Sequence, residues 1–597
     1  MSMKLFSSAV SVLLALLAMQ SCKDAGTQVS DSRSFRIENL AAINGNGRVT
    51  LYWSGAINGT AVEVEVHRGS EQTFTPSPYT RITTLPASVS TFMDSSVGNG
   101  KRYYYRVVPI EIIAGRVRVA GISEASTMAR PFDYSLVTRI SFSEHIQPVF
   151  QSGCAVHGCH VGGSPDKFGQ RLSLEKAAHD EKFSLRAWAD IFTGGDHGAI
   201  VVPFNARKSQ LVFHTNIDSS LAPISTPHMP PFAGANIPAD QLQLIMRWID
   251  EGAQDDDGNI ALSTYPQGKV LITNQAEDLV TVVDIASNLV ARYIQAGVAN
   301  VFTQPPHAPH NVTVDAARGY YYVNLVASGE VLKYRLSDNV RVGEVSGLIS
   351  PTQVALSGSG DTAYVAQFAS GVNSIRILNT RTMQIIGQIS STYVDKPHGV
   401  QITPDGRELW ITGNLSDNIL VVNLQDNSTS LIQLDGQAPG IGGNLLPYQT
   451  VMTSDNRFVY VSCQRSNEVR VISRASMSVV KSIPVGVFPL IPAISPDDRF
   501  VYVPNRNSNS LSVISTLTDS VVATIANVGP QPHGVAITRD GRFAYVSCEN
   551  VVASVPPHHP TSGSKTPGYV SMIDLQTNTV IKQFEVGAFA SGIAIVQ

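Results

Sequence analysis

Apolar and polar positions fall into a repeating pattern over the second half of the chain. Short runs of strand type recur as Val270-Leu-Ile-Thr-Asn274, Tyr321-Tyr-Val-Asn324, Ala363-Tyr-Val-Ala366, Leu409-Trp-Ile-Thr412, Val459-Tyr-Val-Ser-Cys463, Val501-Tyr-Val-Pro-Asn505 and Ala544-Tyr-Val-Ser-Cys548. They lie about 42 to 51 residues apart, close to the length of a four-stranded propeller blade. Polar turns precede most of them, as in Pro404-Asp-Gly-Arg407 and Arg539-Asp-Gly-Arg542. A further strand pattern follows, as in Val280-Thr-Val-Val-Asp284 and Val570-Ser-Met-Ile-Asp574. Seven blocks predict seven blades over residues 269–597. The strand that opens a blade, such as Gly399-Val-Gln-Ile-Thr403, is missing before Lys269, and Ser591-Gly-Ile-Ala-Ile595 is that strand with no blade behind it. The C-terminus is therefore expected to complete the first blade and remove the free sheet edge.

The first half carries two other patterns. Residues 35–130 alternate with period two in Val49-Thr-Leu-Tyr-Trp53, Val62-Glu-Val-Glu-Val-His67 and Tyr103-Tyr-Tyr-Arg-Val-Val108, punctuated by Asn44-Gly-Asn-Gly47 and Gly98-Asn-Gly100, which predicts a β-sandwich. Residues 137–253 read as a small helical domain. Ser141-Phe-Ser-Glu144 is a capping-box pattern, with Ile146, Val149 and Phe150 at helical spacing behind it. Pro148 requires that this helix kink or begin later. Ser209 is positioned to cap a helix at Gln210, and Pro238 to open one with Leu242, Ile245 and Ile249 on one face and Gly252 as its stop. Residues 254–268 form a polar linker. The fold class expected is multidomain and mainly β: a sandwich, a small all-α domain and a seven-bladed propeller.

The N-terminus changes the picture of location. Met1 to Ser21 has a basic Lys4 and an apolar run from Ala9 to Met19, too short to span a bilayer comfortably, and reads as an export signal. Ser21-Cys22-Lys23-Asp24 resembles a lipoprotein signal, which implies acylation of Cys22 and a membrane lipid anchor; an ordinary cleaved signal is the alternative. Residues 22–34 are a polar tether. Charged residues make up 15 % of the chain, below the roughly 25 % of soluble domains. The net charge of −4 argues against a nucleic-acid partner. Five cysteines are too few for a disulfide framework, and Cys463 and Cys548 are expected to be free, buried thiols.

The chemistry begins at Cys154-Ala-Val-His-Gly-Cys159-His160. A cysteine pair followed directly by histidine is how c-type haem is held, although four residues rather than two separate these cysteines. With Thr226-Pro-His-Met229-Pro-Pro231 and Trp248-Ile249 downstream, residues 137–253 resemble the small cytochrome c domains of bacterial envelope proteins. The resemblance implies one haem c, with thioether bonds to Cys154 and Cys159, His160 as proximal iron ligand and Met229 as distal ligand. His228 is the rival beside Met229. The residues alone leave open a zinc staple of Cys154, His157, Cys159 and His160, or a plain disulfide. The early "V-x-L-x-W" and late "Y-x-Y-R-V" patterns of residues 35–130 resemble fibronectin type III domains, which implies Trp53 and Tyr103 as core aromatics and a spacing or binding role. The repeat from residue 269 resembles the YVTN family of β-propellers.

The propeller's innermost strands place a set of side chains together. Six are entered through Pro309, Pro351, Pro397, Pro447, Pro489 and Pro532, and the next residues are His310, Thr352, His398, Tyr448, Leu490 and His533, with Ser591 in the closing strand. These positions should ring one mouth of the central channel. His307, His558 and His559 are expected on the same face. Neutral imidazoles there suit a second metal, copper, zinc or iron, at His310, His398 and His533; equally, histidine can simply fill a polar channel mouth. The leading expectation is haem-dependent electron transfer at the cell envelope, with the propeller binding a redox partner protein or small-molecule substrate. The alternatives are a redox enzyme with its site at the histidine-rich mouth, and a surface adhesion or binding protein with no redox role.

Overall fold

The computed structural model describes the chain outside residues 1–35, 57–62, 114–115, 120–126, 155–186, 196–197, 231, 298–306, 439–441 and 558–565. Cys22, His157, Cys159, His160, His558 and His559 lie outside the described residues. The chain divides into two compact units. One comprises Met1–Asp133 with Gln151–Gly158, and the other Tyr134–Phe150 with Cys159–Gln597.

The first unit is a β-sandwich. One sheet pairs Arg36–Gly45 with Arg48–Ala56 and the latter with Thr91–Asp94; the other runs in the order Arg81–Pro86, Glu63–Gly69, Tyr103–Ile113 and Arg116–Val119, with Thr127–Ala129 on the near half of the long strand. Period-two alternation sends Leu51, Trp53, Val64, Val66 and Val107 inward. The core aromatic beside Trp53 is Tyr105 rather than Tyr103. Tyr105 is fully buried, and its hydroxyl donates to Asp94 Oδ2 at 2.9 Å. Tyr103 points to the same face but sits at the margin, where its hydroxyl accepts from the Gly98 amide at 2.9 Å. Two positions along a strand is enough to move a ring from the rim to the centre.

The second unit begins with short helices. The Ser141 hydroxyl accepts from the Glu144 amide at 3.2 Å, as the capping box requires. A single π-type turn spans Phe142–Ile146, and the regular helix starts at Gln147. Pro148 therefore falls in a first helical turn, where its missing N–H costs little. Ser209 stands at the N-cap of Gln210–Thr215, but its hydroxyl is engaged with Val202 and Asn205. Pro238 is the N-cap of Ala239–Asp250, which buries Leu242, Ile245, Trp248 and Ile249, with the Trp248 ring packed on Phe142 and Phe150.

Seven four-stranded sheets follow; six begin at their innermost strand, and the first takes its innermost strand from the C-terminus. The first blade consists of Lys269–Asn274, Leu279–Asp284, Leu289–Gln295 and, as its innermost strand, Ala590–Val596. Ile593 pairs with Ile272 and Ile595 with Val270, so the two ends of the repeat are stitched by one antiparallel ladder. The outer strands of the other blades show exposed positions, whereas Leu289, Val290, Ala291 and Arg292 are all buried. The helical segment covers this edge. Val202 joins the cluster of Ile285 and Val290, and Lys208 Nζ donates to Glu277 Oε1 at 2.7 Å. Cys463 and Cys548 are fully buried free thiols, and burial pushes both well above the usual thiol range.

Candidate functional site at the propeller mouth

A backbone device repeated in every blade builds the mouth. The residue two before each ring position is left-handed: Ala308, Ser350, Lys396, Leu446, Phe488, Gln531 and Phe589, with φ between 45° and 60°. For non-glycine residues this conformation costs roughly 1–2 kcal/mol. A repeated bond offsets it: each carbonyl accepts from the amide one residue past the blade's second strand, at 2.9–3.3 Å. Those donors are Val326, Phe368, Asn414, Gln464, Arg506, Glu549 and Gln275 in the same order. In four blades a side chain fixes the turn from the other side, as Asp278, Asp417, Asn467 and Asn509 accept from the amides of Ala308, Leu446, Phe488 and Gln531. Two rings of side chains result. One follows the prolines, and the other lies one step beyond the second strands.

All seven positions of the first ring are buried. His310, His398 and His533 come from the second, fourth and seventh blades, and they converge. His310 and His398 bring their Nε2 atoms to 3.3 Å, with ring centres 5.5 Å apart; the rings of His310 and His533 are 5.3 Å apart. Tyr448 stacks on His398 at 3.4 Å between centres, and Phe368 meets the same imidazole edge-on at 4.8 Å. The glycines after His398 and Ser591 are what let the strands close in. A Cβ on Gly399 would lie 2.9 Å from the Tyr448 carbonyl, and one on Gly592 would lie 2.5 Å from Asn311 Cα.

The second ring supplies partners. The Gln275 side-chain amide donates to His310 Nδ1 at 2.8 Å, so His310 Nε2–H is the donor to His398 Nε2. His398 Nδ1–H donates in turn to the Tyr448 carbonyl at 3.0 Å. His533 Nδ1 donates to Glu549 Oε1 at 2.7 Å, while its Nε2 is buried with no hydrogen-bond partner among the described residues. Arg506 clamps the same carboxylate, with Nη2 to Oε2 at 2.6 Å. Burial lowers the pKa of His310 to about 3 and that of His398 well below the ordinary value, so both are neutral through the physiological range. Burial pushes the Glu549 carboxyl up, but His533 and Arg506 together outweigh it and hold it below the usual range. Among the described residues, as they stand, no group of three or more His, Cys, Asp or Glu side chains is placed to hold a metal ion.

His307 does not join this cluster; its Nδ1 faces Glu330 Oε2 at 3.2 Å. Gln275, Phe368, Arg506 and Glu549 escaped the sequence reading. Their signal is positional, since each follows the last residue of a second strand, directly after a strand block such as Val501–Asn505 or Ala544–Cys548.

Of the haem-type residues, Cys154 is buried and Met229 is half-buried, its amide donating to the His214 carbonyl at 2.7 Å. Burial lowers the pKa of His228, whose Nε2 is enclosed without a partner among the described residues while a backbone hydrogen bond links the ring to Thr215. A thioether and an imidazole are both side chains that can ligate haem iron.

Two family models match the chain, and both agree with the architecture. Residues 37–128 match the family model of the third fibronectin type III domain of SaeA. Residues 243–480 match the lactonase family of seven-bladed β-propellers. The chain thus contains a fibronectin type III-like domain and a seven-bladed propeller of lactonase type. Among solved structures, it is similar to hydrazine synthase of Kuenenia stuttgartiensis at 16 % identity, over 49 % of this chain and 91 % of that one, with a TM-score of 0.40. It is also similar to a functionally unknown protein of Desulfotomaculum acetoxidans DSM 771 at 14 % identity, over 55 % and 99 %, with a TM-score of 0.44.

Proposed function

We propose that this is an exported, lipid-anchored redox protein that transfers electrons through one haem c, with the propeller as the module that binds its partner protein or substrate. Cys154 and Cys159 would hold the haem by thioether bonds, His160 would ligate the iron, and Met229 would be the opposite ligand. The bound haem would supply one-electron chemistry, and a thioether ligand would favour its reduced state. The observation that carries the reading is the attachment of the helical segment to the first blade. Lys208 is paired with Glu277, two residues from Gln275, and Gln275 holds His310 at the mouth. Met229 belongs to the same helical segment as Lys208. Export rests on the apolar Ala9–Met19 run and on Cys22. No helix among the described residues is long and apolar enough to cross a membrane.

The test is the pyridine haemochrome spectrum of full-length protein produced with a cytochrome c maturation system. Covalent haem at one per chain, reduced in Cys159→Ala, is expected. Absence of covalent haem would overturn the reading and leave a surface binding protein. The convergence of His310, His398 and His533 favours one second reading, in which the mouth is itself a reactive centre and haem its electron outlet.

A further inference from the structure

We propose that His310, His398 and His533 form a binding site for one copper or zinc ion at the propeller mouth. This does not depend on haem. Two ligand nitrogens at 2.0–2.1 Å from one tetrahedral ion stand about 3.3–3.4 Å apart. The Nε2 atoms of His310 and His398 are 3.3 Å apart. His533 stands two blades from His310 around the closed ring, with its ring centre 5.3 Å from that of His310. Its Nε2 is enclosed and unpartnered among the described residues, on a side chain that is more than nine-tenths buried.

The far nitrogens complete the pattern. Metal-ligating imidazoles direct their other nitrogen to a carboxylate, carbonyl or similar group, which sets tautomer and ring orientation. Here the Nδ1 atoms face Glu549 Oε1 at 2.7 Å, the Tyr448 carbonyl at 3.0 Å and the Gln275 amide at 2.8 Å. Two of the three already leave Nε2 as the free lone pair in the neutral ring. His310 is the exception, since it donates from Nε2 to His398. A half-turn of the Gln275 amide presents Oε1 to Nδ1, moves the proton there and frees the third lone pair, with no net proton released. That rotation, with His533 Nε2 brought onto the same ion, closes the three-nitrogen set. The donors select the ion. Three imidazoles with no carboxylate in contact suit copper or zinc and disfavour magnesium and calcium. Glu549 remains in the outer layer, tied to Arg506.

The experiment is metal analysis of full-length protein stripped with a chelator, reloaded with copper(II) or zinc(II) and desalted. Copper or zinc at one per chain is expected in the wild type and in His307→Ala, counted separately from iron. It should be lost in His310→Ala and in His533→Ala. Glu549→Gln should keep the stoichiometry with affinity weakened about 10- to 100-fold. X-ray absorption of the loaded wild type, which needs no variant to fold, should show imidazole nitrogen ligands and no sulfur. A protein that takes up neither metal, metal that persists in the His310→Ala/His533→Ala double variant, or sulfur ligation would each overturn the site. The last would point to the cysteines around residue 154 instead.

Discussion

Glu549 accepts the Nδ1 proton of His533 at 2.7 Å and holds the Arg506 guanidinium on the same carboxylate, so one buried acid joins the seventh blade's histidine to the sixth blade. The carboxylate is 2 % exposed and the guanidinium 24 %. Breaking a buried pair from one side costs about 3–5 kcal/mol because the survivor stays charged in a low-dielectric site. The two sides are not equivalent here. Arg506→Met strands the enclosed Glu549, whereas Glu549→Ala leaves an arginine that can turn toward water. Denaturant unfolding should show Arg506→Met to be the more destabilising, with Glu549→Ala costing roughly 2 kcal/mol or less. Equal losses would mean that the pair is solvated in solution.

The strands converge on the mouth closely enough that glycine is required at one step beyond the ring. Gly592→Ala places a methyl group 2.5 Å from Asn311 Cα and 2.7 Å from the His310 carbonyl, both backbone-fixed. Overpacking of this kind costs about 1–3 kcal/mol. At Gly534 the nearest atom is a side-chain methyl, Ile593 Cγ2 at 3.1 Å, which can move. Thermal melts should rank Gly592→Ala below Gly534→Ala, and the reverse order would contradict the packing.

Much of this was readable along the chain. The Tyr-Val blocks mark the second strand of each blade, and the lone Ser591–Ile595 segment marks the closure, because a period of blade length has few other physical solutions. The prolines before His310, His398 and His533 identify the ring. What periodicity does not carry is distance across the ring, which depends on how seven separate sheets pack. The meeting of His310 with His398 is therefore a structural result. So is the role of Glu549, whose significance comes from a neighbour sixteen positions earlier in another strand. The burial of Leu289–Arg292 is likewise a structural result, since its cover lies some eighty positions away at Val202 and Lys208. Tyr103 and Tyr105 show the same limit locally, since both face inward and only packing tells which is central.

The closing strand gives a sharper test of architecture. Ala590–Val596 is paired to Lys269–Asn274 and also seats Ser591, whose hydroxyl donates to the His310 carbonyl at 2.9 Å. Removing these seven residues opens an edge and unseats a ring position together. The truncated protein should lose its cooperative propeller transition, while the fibronectin-like unit keeps its own. A single unchanged melt would mean that the ring does not rely on this ladder.

Lys269 links stability to alkaline pH. Its ammonium is enclosed, donating to the Leu336 carbonyl at 2.6 Å and to Asn339 Oδ1 at 2.9 Å, and burial lowers its pKa to about 8. In the unfolded chain the value is about 10.4. Below about pH 8 the group is protonated in both states, and the folded state bears the full cost of the buried charge. Between the two values the unfolded chain binds more protons, so this residue's contribution to stability rises with pH and levels off above the upper value. At 1.36 kcal/mol per unit the whole change is on the order of 3 kcal/mol. Relative to Lys269→Met, the wild type should gain stability across that window in chemical denaturation. A difference that stays constant from pH 7.5 to 10.5 would show that the lysine is charged throughout.

The haem reading can be tested at the distal ligand, where two donors adjoin. Met229 offers a thioether, and His228 offers an enclosed Nε2 with no partner among the described residues. The two differ in their effect on iron. A thioether favours the ferrous state and raises the potential, whereas imidazole, the more basic donor, favours the ferric state. With Met229 as ligand, Met229→Ala should retain covalent haem, lower the reduction potential and remove the sulfur-to-iron charge-transfer band of the oxidised protein. His228→Ala should leave both nearly unchanged. The opposite pattern, with the potential moved by His228→Ala and untouched by Met229→Ala, would transfer the ligand to His228.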